Sequence, residues 1–263
     1  MARKWFRGRG LSRIAQTYPQ LAVQLAGTHW GHSELTSVRT AYELAATLFA
    51  AAERGSAKPF VDHLVGTASA VIIGGGPAPA VAAALLHAAY DQGDFGDGRN
   101  GPHTTHRKRI RATVGDTIEN LVYRYNQLGW SPTVAEHALR DVDHATPQMR
   151  SVLLIRIANE IDDATDGGLV LSAKQHLAVH SEQTRRIAVR LAEHIGTPEF
   201  AALAQHELFD PPPVFPPELI VGTIRSRTRL PASTSRRPAL IAARTIARTT
   251  RLAKRFSQFR ARP

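Results

Sequence analysis

The chain has 263 residues, of which 43% are apolar, and it contains no cysteine. This length supports one sizeable core with appendages, and the absence of cysteine excludes disulfides and thiolate metal sites. The formal net charge is +11, but twelve lysines and arginines fall in residues 219–263 and five more in residues 1–13. Residues 14–218 therefore carry a formal charge of about −6. The chain is a mildly acidic body with two basic ends, and not a basic globule.

Composition divides the chain into three regions. We expect a basic N-terminal arm at residues 1–30, a helical domain at residues 31–210, and a Pro-rich linker with a basic amphipathic tail at residues 211–263. No apolar segment follows the basic N-terminus, so no signal peptide is predicted. The most apolar stretch, residues 64–90, is interrupted by Gly and Pro at 74–79, which leaves pieces too short to span a bilayer. A cytoplasmic protein is expected.

Apolar residues recur at helical spacing through the body, which predicts an all-α fold. In chain order, helices are expected at residues 11–18, 33–54, from Pro59 onward, and at 80–90, 109–128, 132–142, 148–165, 173–195 and 198–208. Residues 94–106 are rich in Gly, Asp and Asn and are typical of a flexible loop. Beyond the linker, residues 238–262 have the pattern of a basic tail helix.

Residues 70–79, Ala-Val-Ile-Ile-Gly-Gly-Gly-Pro-Ala-Pro, leave an alternative open. They are similar to the first turn of a flavin-binding Rossmann domain, in which glycines let a helix N-terminus approach a pyrophosphate. Pro79 stands at the third glycine position, and no second strand ending in an acid follows. A Gly-Pro connection between two buried helices is therefore favoured.

The most informative stretch is Arg54-Gly-Ser-Ala-Lys-Pro-Phe-Val-Asp-His63, and a second histidine, His87, follows in Ala84-Leu-Leu-His-Ala-Ala-Tyr-Asp91. Both segments resemble the His-metal phosphohydrolase (HD) superfamily, and most closely the hydrolase domain of Rel-type (p)ppGpp enzymes. The resemblance covers about residues 40–166. It implies an HD-like helical bundle in which imidazoles and carboxylates bind a divalent metal, such as Mn²⁺, whose bound water attacks phosphorus.

The resemblance also implies roles for single residues. It makes His63 and His87 metal ligands, Arg54 and Ser56 the nucleotide-binding pair, Tyr90 a pocket-lining residue, and Asp91 the acid near the attacking water. Each residue has a simpler structural explanation as well. Buried histidines usually form hydrogen bonds across helices, arginine is common at a helix C-terminus, and serine is common in turns. Tyr90 could simply close the core, and Asp91 could be a loop acid in solvent.

Three positions depart from the HD pattern. Phe49 stands at the place of the first histidine, Ala88 replaces the aspartate of the His-Asp pair, and Asn159 falls where the late aspartate is expected. Asn159 could offer only a weak carbonyl ligand, and Asp62 or Asp91 could replace a lost ligand. The chain is similar to an uncharacterised branch of HD-like proteins whose second motif reads H-[S/A]-x-Y.

Two functions remain open. The favoured one is a degenerate HD-like module that binds a nucleotide or phosphoester, because two ligand positions have lost their negative charge. The alternative is a metal-dependent phosphohydrolase acting on a guanine nucleotide such as (p)ppGpp.

The basic tail has separate candidate partners. Arginines beside Leu252, Phe256 and Phe259 favour an anionic membrane surface or an acidic partner over nucleic acid. Peripheral attachment at the inner membrane surface is therefore expected as a possible addition to the cytoplasmic location. A tail without a partner, or one folded back on the acidic body, is left open.

Overall fold

The computed structural model describes residues 14–172, 178–211, 214–220 and 227–228. These residues form an all-α fold, which confirms the fold class predicted from the periodicity. Two short strands within them, β1 (Ala52–Glu53) and β2 (Arg227–Thr228), pair antiparallel, and an isolated bridge joins Glu53 to Pro59. The tail helix expected at residues 238–262 and the basic residues 1–13 lie outside the described residues.

In chain order the helices are α1 (Tyr18–Ala26), α2 (His32–Leu48), α3 (Phe60–Ile73), α4 (Ala78–Leu86), α5 (Ala89–Gln92), α6 (Thr104–Val114), α7 (Asp116–Leu128), α8 (Pro132–Arg140), α9 (Pro147–Ala164), α10 (Gly168–Leu171), α11 (Glu182–Ile195) and α12 (Pro198–Phe209). Most helices are joined by a few residues, and longer segments precede α3, α6 and α11.

The centre of the bundle is α4, in which every residue except Pro79 is buried. A helix that is apolar all round has to be enclosed, and α4 packs against α2, α3, α7 and α9. Helix α3 in turn packs along α9, and α11 and α12 cover α9 from another side. The core also includes Ala15, Leu21 and Leu25, so it extends N-terminal to α2.

Several helix limits differ from the sequence prediction. The first helix does not end at Tyr18 but begins there, because Thr17 and Gln20 form a capping box and Pro19 fits the first turn. Helix α2 ends at Leu48 and not near Arg54. After Leu48 the chain leaves the helix and becomes extended at Ala52, which pairs with β2.

Three further predictions were wrong in their limits. The helix expected at 109–128 is two helices, because Gly115 adopts a positive φ of 87° that interrupts the helical hydrogen bonds. The helix expected at 80–90 is broken at His87, before α5. The helix expected from residue 173 begins at Glu182, where the Ser181 side chain accepts a hydrogen bond from the Thr184 amide.

The flavin alternative is excluded by the backbone. Residues 70–73 form the last turn of α3 and not a strand, and Gly75 makes the turn into α4 with a φ of 74°. Among the described helices, none is both long enough and apolar enough to cross a bilayer.

Candidate functional site

A cavity of about 390 Å³ opens where the N-terminal end of α3 meets the C-terminal end of α9. The loop between β1 and α3 forms one wall, and α10 with the turn before it forms the opposite wall. The lining includes Arg54, Ser56 and His63, three residues that the Rel-type resemblance selected. The remaining lining residues are Gln16, Thr17, Ala57, Lys58, Asp62, Asp162, Asp163, Thr165, Asp166, Gly168 and Leu171.

The loop that carries Arg54, Ser56 and Lys58 is a tight turn with defined hydrogen bonds. The Arg54 amide donates to the Lys58 carbonyl at 2.8 Å, and Ala57 adopts a left-handed φ of 66°. Pro59 then caps α3, where its fixed φ suits the start of a helix. The turn therefore presents three polar side chains to the cavity immediately before the helix that carries His63.

His63 is buried and is fixed by a carboxylate. Its Nδ1 lies 2.7 Å from Oδ2 of Asp162, so Nδ1 carries the proton and donates to the carboxylate. Lys58 Nζ donates to both oxygens of Asp162, at 2.7 and 2.9 Å, and Gln16 Nε2 donates to Oδ1 at 3.3 Å. Burial alone would raise the pKa of Asp162, but Lys58 and His63 outweigh it and lower that pKa below its usual value.

A second ion pair lies beside the first. Arg54 donates through Nη2 to Asp163 Oδ1, and its guanidinium stands 5.3 Å from the Phe60 ring centroid. Each of the two neighbouring aspartates of α9 is therefore neutralised by a cation from the β1–α3 loop. The loop and the end of α9 are tied together at the cavity.

The two histidines lie within a continuous row of rings in contact, the aromatic row, made of Phe49, Phe60, His63, His87 and Tyr125, in which the first pair is stacked and the others meet edge to face. Successive ring centroids are 4.6, 5.5, 5.2 and 5.0 Å apart. The structure thus brings His63 and His87 into contact on adjacent elements. Phe49, which replaces the first HD histidine, fills its place with an apolar ring stacked on Phe60.

Both imidazoles are neutral at physiological pH. Burial lowers the pKa of His63 to about 4, with a further contribution from Arg54 that outweighs the opposing bond to Asp162. Burial and the neighbouring His63 ring lower the pKa of His87 to about 3. His87 Nδ1 donates to the Ala84 carbonyl at 2.8 Å, so each ring has its proton on Nδ1 and a lone pair on Nε2. His63 Nε2 is buried without a hydrogen-bond partner.

None of the candidate residues of the second motif lines the cavity: His87 contacts His63 behind it, and Tyr90 and Asp91 lie elsewhere. Asp91 is exposed on α5 and accepts a hydrogen bond from Asn126 at 2.9 Å. The Tyr90 hydroxyl donates to Glu119 at 2.7 Å, in a buried network between α5, α6 and α7. Ala88 is buried beside His87 and brings no donor atom.

The late acid was expected at position 159, but the carboxylate that reaches His63 belongs to Asp162. Asn159 is buried one turn earlier on α9. Residues three apart share a helix face, so the spacing makes Asp162 a candidate beside Asn159, but it does not decide between the two.

Sequence reasoning also missed the polar contacts behind the aromatic row. Arg156 Nη1 donates to the Tyr125 hydroxyl at 2.9 Å and pairs with Glu160. Glu160 Oε2 lies 3.0 Å from Nδ1 of the buried His180. These contacts connect the row to the segment that precedes α11.

The donor atoms fit a catalytic divalent metal only in part. His63 and His87 offer neutral nitrogens whose opposite ring atoms are hydrogen-bonded, as metal-binding histidines usually are. Within the described part of the chain, however, no three His, Asp or Glu side chains are grouped so as to hold a metal ion. Two nitrogen donors are one fewer than catalytic sites normally use.

Comparison with known families gives a match that covers part of this site. A family model described as a domain of unknown function (DUF6817) matches residues 46–129, about a third of the chain. The matched range contains the β1–α3 loop, His63, His87 and Tyr125, and it ends before α9. A search of curated proteins gave no match. The chain is thus similar over that range to a family whose description assigns no activity.

Proposed function

We propose that this chain is a degenerate HD-like domain that binds a nucleotide or another phosphoester and has no full catalytic metal site. The observation that carries the proposal is that Arg54, Ser56 and His63 line one cavity. The Rel-type resemblance selected these three residues from the sequence alone, as nucleotide and metal contacts. A cavity of about 390 Å³ lies within the range of small-molecule sites.

The surroundings of the histidines support a binding role over catalysis. Phe49 and Ala88 fill two expected ligand positions with apolar groups. The Asp162 carboxylate is already engaged by His63, Lys58 and Gln16, so it is not free for a metal. Ser56, in contrast, has a half-buried hydroxyl at the cavity wall, where it can donate to a phosphate oxygen.

The test is calorimetric titration of the full chain with GDP, GTP and ppGpp in a buffer containing Mg²⁺. We expect saturable binding by at least one of them, and about tenfold weaker binding by Ser56→Ala, since one hydrogen bond to a charged group is lost. Ser37→Ala, on α2 and outside the cavity, is the matched control. Absence of binding by all three nucleotides, or equal affinity of the Ser56 and Ser37 variants, contradicts the proposal.

A metal-dependent phosphohydrolase is the second candidate, and one observation favours it. His63 Nε2 is buried without a partner, and the loss of a hydrogen bond at a buried atom is costly unless a ligand or ion supplies it. A bound divalent ion would lower the pKa of a water molecule, while His63 and His87 held the ion and Asp91 oriented the water. Metal analysis, followed by phosphate release with Mn²⁺ in the native chain and in His63→Ala, tests this candidate. Release that requires Mn²⁺ and His63 supports it, and equal release by both proteins removes it.

For the basic tail, we propose adsorption to an anionic membrane surface. The support is its sequence, in which arginines accompany Leu252, Phe256 and Phe259. Co-sedimentation with vesicles containing phosphatidylserine should pellet the full chain and leave the chain shortened to residues 1–218 in the supernatant. Equal pelleting of the two chains contradicts membrane adsorption by the tail.

A further inference from the structure

The cavity has more negative than positive side chains. Arg54 and Lys58 are positive, whereas four aspartates of its lining are negative. With His63 neutral the formal charge of the lining is −2, and a protonated His63 would still leave it negative. The charge also stays negative when one aspartate is protonated. A free phosphoester dianion entering this cavity would meet net repulsion.

Internal ion pairs increase this imbalance. Lys58 is bound to both oxygens of Asp162, and Arg54 is bound to Asp163. Both cations are thus already committed to carboxylates of α9. Asp62 and Asp166 make no side-chain hydrogen bond or ion pair among the described residues that line the cavity. They are the two lining carboxylates left to face a ligand.

Asp166 lies in the turn between α9 and α10. Its φ of 56° is in the left-handed region, which aspartate and asparagine adopt more readily than other residues with a side chain. The residue is exposed and lines the cavity. The turn therefore places a carboxylate at the cavity.

Two buried polar atoms of the lining residues also have no partner. His63 Nε2 can accept a hydrogen bond, and Arg54 Nε can donate one. His63 is fully buried. A fully buried ring nitrogen costs free energy unless a polar partner reaches it, and a polar ligand in this cavity would supply one to His63 Nε2.

From these observations we infer that the cavity binds its phosphoester as a complex with a divalent cation and not as a free anion. Asp62 and Asp166 would face the cation. This inference rests on the proposed function and names the form of the ligand. Mg²⁺ commonly binds to one or two carboxylates and completes its shell with phosphate oxygens and water. Two carboxylates alone do not make a resident metal site, so the ligand has to bring the cation.

The test is calorimetric titration of the full chain with GDP, either in MgCl₂ or in EDTA. We expect at least tenfold tighter binding with Mg²⁺, and much weaker binding of Mg²⁺ alone. Asp166→Asn should weaken Mg²⁺–GDP binding about tenfold and tighten GDP binding in EDTA, because it removes one negative charge. Asparagine tolerates the left-handed conformation, so this variant keeps its fold. Asp141→Asn, exposed at the end of α8, is the matched control.

The outcomes separate this inference from the proposed function. Equal GDP affinity in MgCl₂ and EDTA overturns the inference and leaves the binding function intact. Binding of Mg²⁺ alone as tight as in the presence of GDP also overturns it, since the cation would then be resident. No GDP binding under either condition overturns the inference, and it overturns the proposed function as well when GTP and ppGpp also fail to bind.

Discussion

Gly66 determines where the Asp162 carboxylate can lie. It sits on α3 one turn after His63, and a Cβ atom at this position would be 1.7 Å from Asp162 Oδ1. The carboxylate that fixes His63 is therefore packed against the bare Cα of α3. A residue without a side chain is required here by a close contact and not by backbone conformation.

Replacement of Gly66 by alanine should displace the Asp162 carboxylate. We expect a loss of about 2–3 kcal/mol in the free energy of unfolding, from overpacking and from disturbance of the buried ion pair. Urea unfolding measures it. In an Asp162→Ala background the clash is gone, so the cost of Gly66→Ala should nearly vanish there. The same cost in both backgrounds would contradict the steric account.

The two buried histidines should make stability depend on pH. Their pKa values are about 4 and about 3 in the folded protein, below the ordinary value of 6.5. The unfolded chain therefore binds more protons below pH 6.5, so their stabilising contribution is present above that pH and is lost as pH falls toward 4. We expect a loss of about 2 kcal/mol per histidine between pH 7 and pH 5.

The measurement is urea unfolding at the two pH values in EDTA, with His87→Phe compared to His29→Gln. His87→Phe keeps a ring in the aromatic row and should remove about half of the pH effect. His29 is exposed, so its replacement should leave the effect unchanged. A native chain equally stable at both pH values would refute neutral burial of the imidazoles.

At the level of elements, Glu119 joins three helices. It lies buried on α7, receives a hydrogen bond from Tyr90 of α5, and pairs with Arg107 and Arg111 of α6. Burial would raise the pKa of Glu119, but the arginines and the tyrosine lower it below its usual value. Gly115 ends α6 and lets α7 pack against it, so Arg107 and Arg111 both reach the Glu119 carboxylate.

Removal of this carboxylate should leave two arginines near a buried gap. We expect Glu119→Ala to lower the free energy of unfolding by about 3–5 kcal/mol. Glu43→Ala, which breaks an exposed i,i+4 contact with Arg39, should cost less than about 1 kcal/mol. Chemical denaturation of both variants makes the comparison. Equal costs would mean that Glu119 has no bridging role.

Helical periodicity predicted the class of the fold and most helices, because apolar spacing follows directly from helix geometry. It did not predict the breaks at His87 and Gly115, which depend on local backbone angles. It also could not tell which residue on one face of α9 contacts His63. Asn159 and Asp162 lie one turn apart, and only the packing of α3 on α9 selects Asp162.

On the scale of the whole molecule, the described core ends in the sequence before the basic residues of the C-terminal end begin. The buried core cluster runs from Ala15 to Leu208, whereas the basic residues of the C-terminal end begin after position 218. Contact between the two within the described residues is the short β1–β2 pairing next to Arg54. The division into an acidic body and basic ends could be predicted by counting charged residues along the sequence. The β1–β2 pairing could not be predicted in this way.

Loss of the tail should therefore barely change the stability of the fold. We expect the chain shortened to residues 1–218 to unfold within about 1 kcal/mol of the full chain, since no core side chain is removed. A loss of several kcal/mol would show that the tail is part of the core.

Recovery of a nucleotide after equilibration with the full chain tests the central claim most directly. The chain is dialysed to equilibrium with GTP, GDP or ppGpp in Mg²⁺ and Mn²⁺, and the ligand retained with the protein is then quantified and identified by chromatography. The account predicts that at least one nucleotide is retained and recovered intact. Recovery of hydrolysed products, or no retention of any nucleotide, would contradict it.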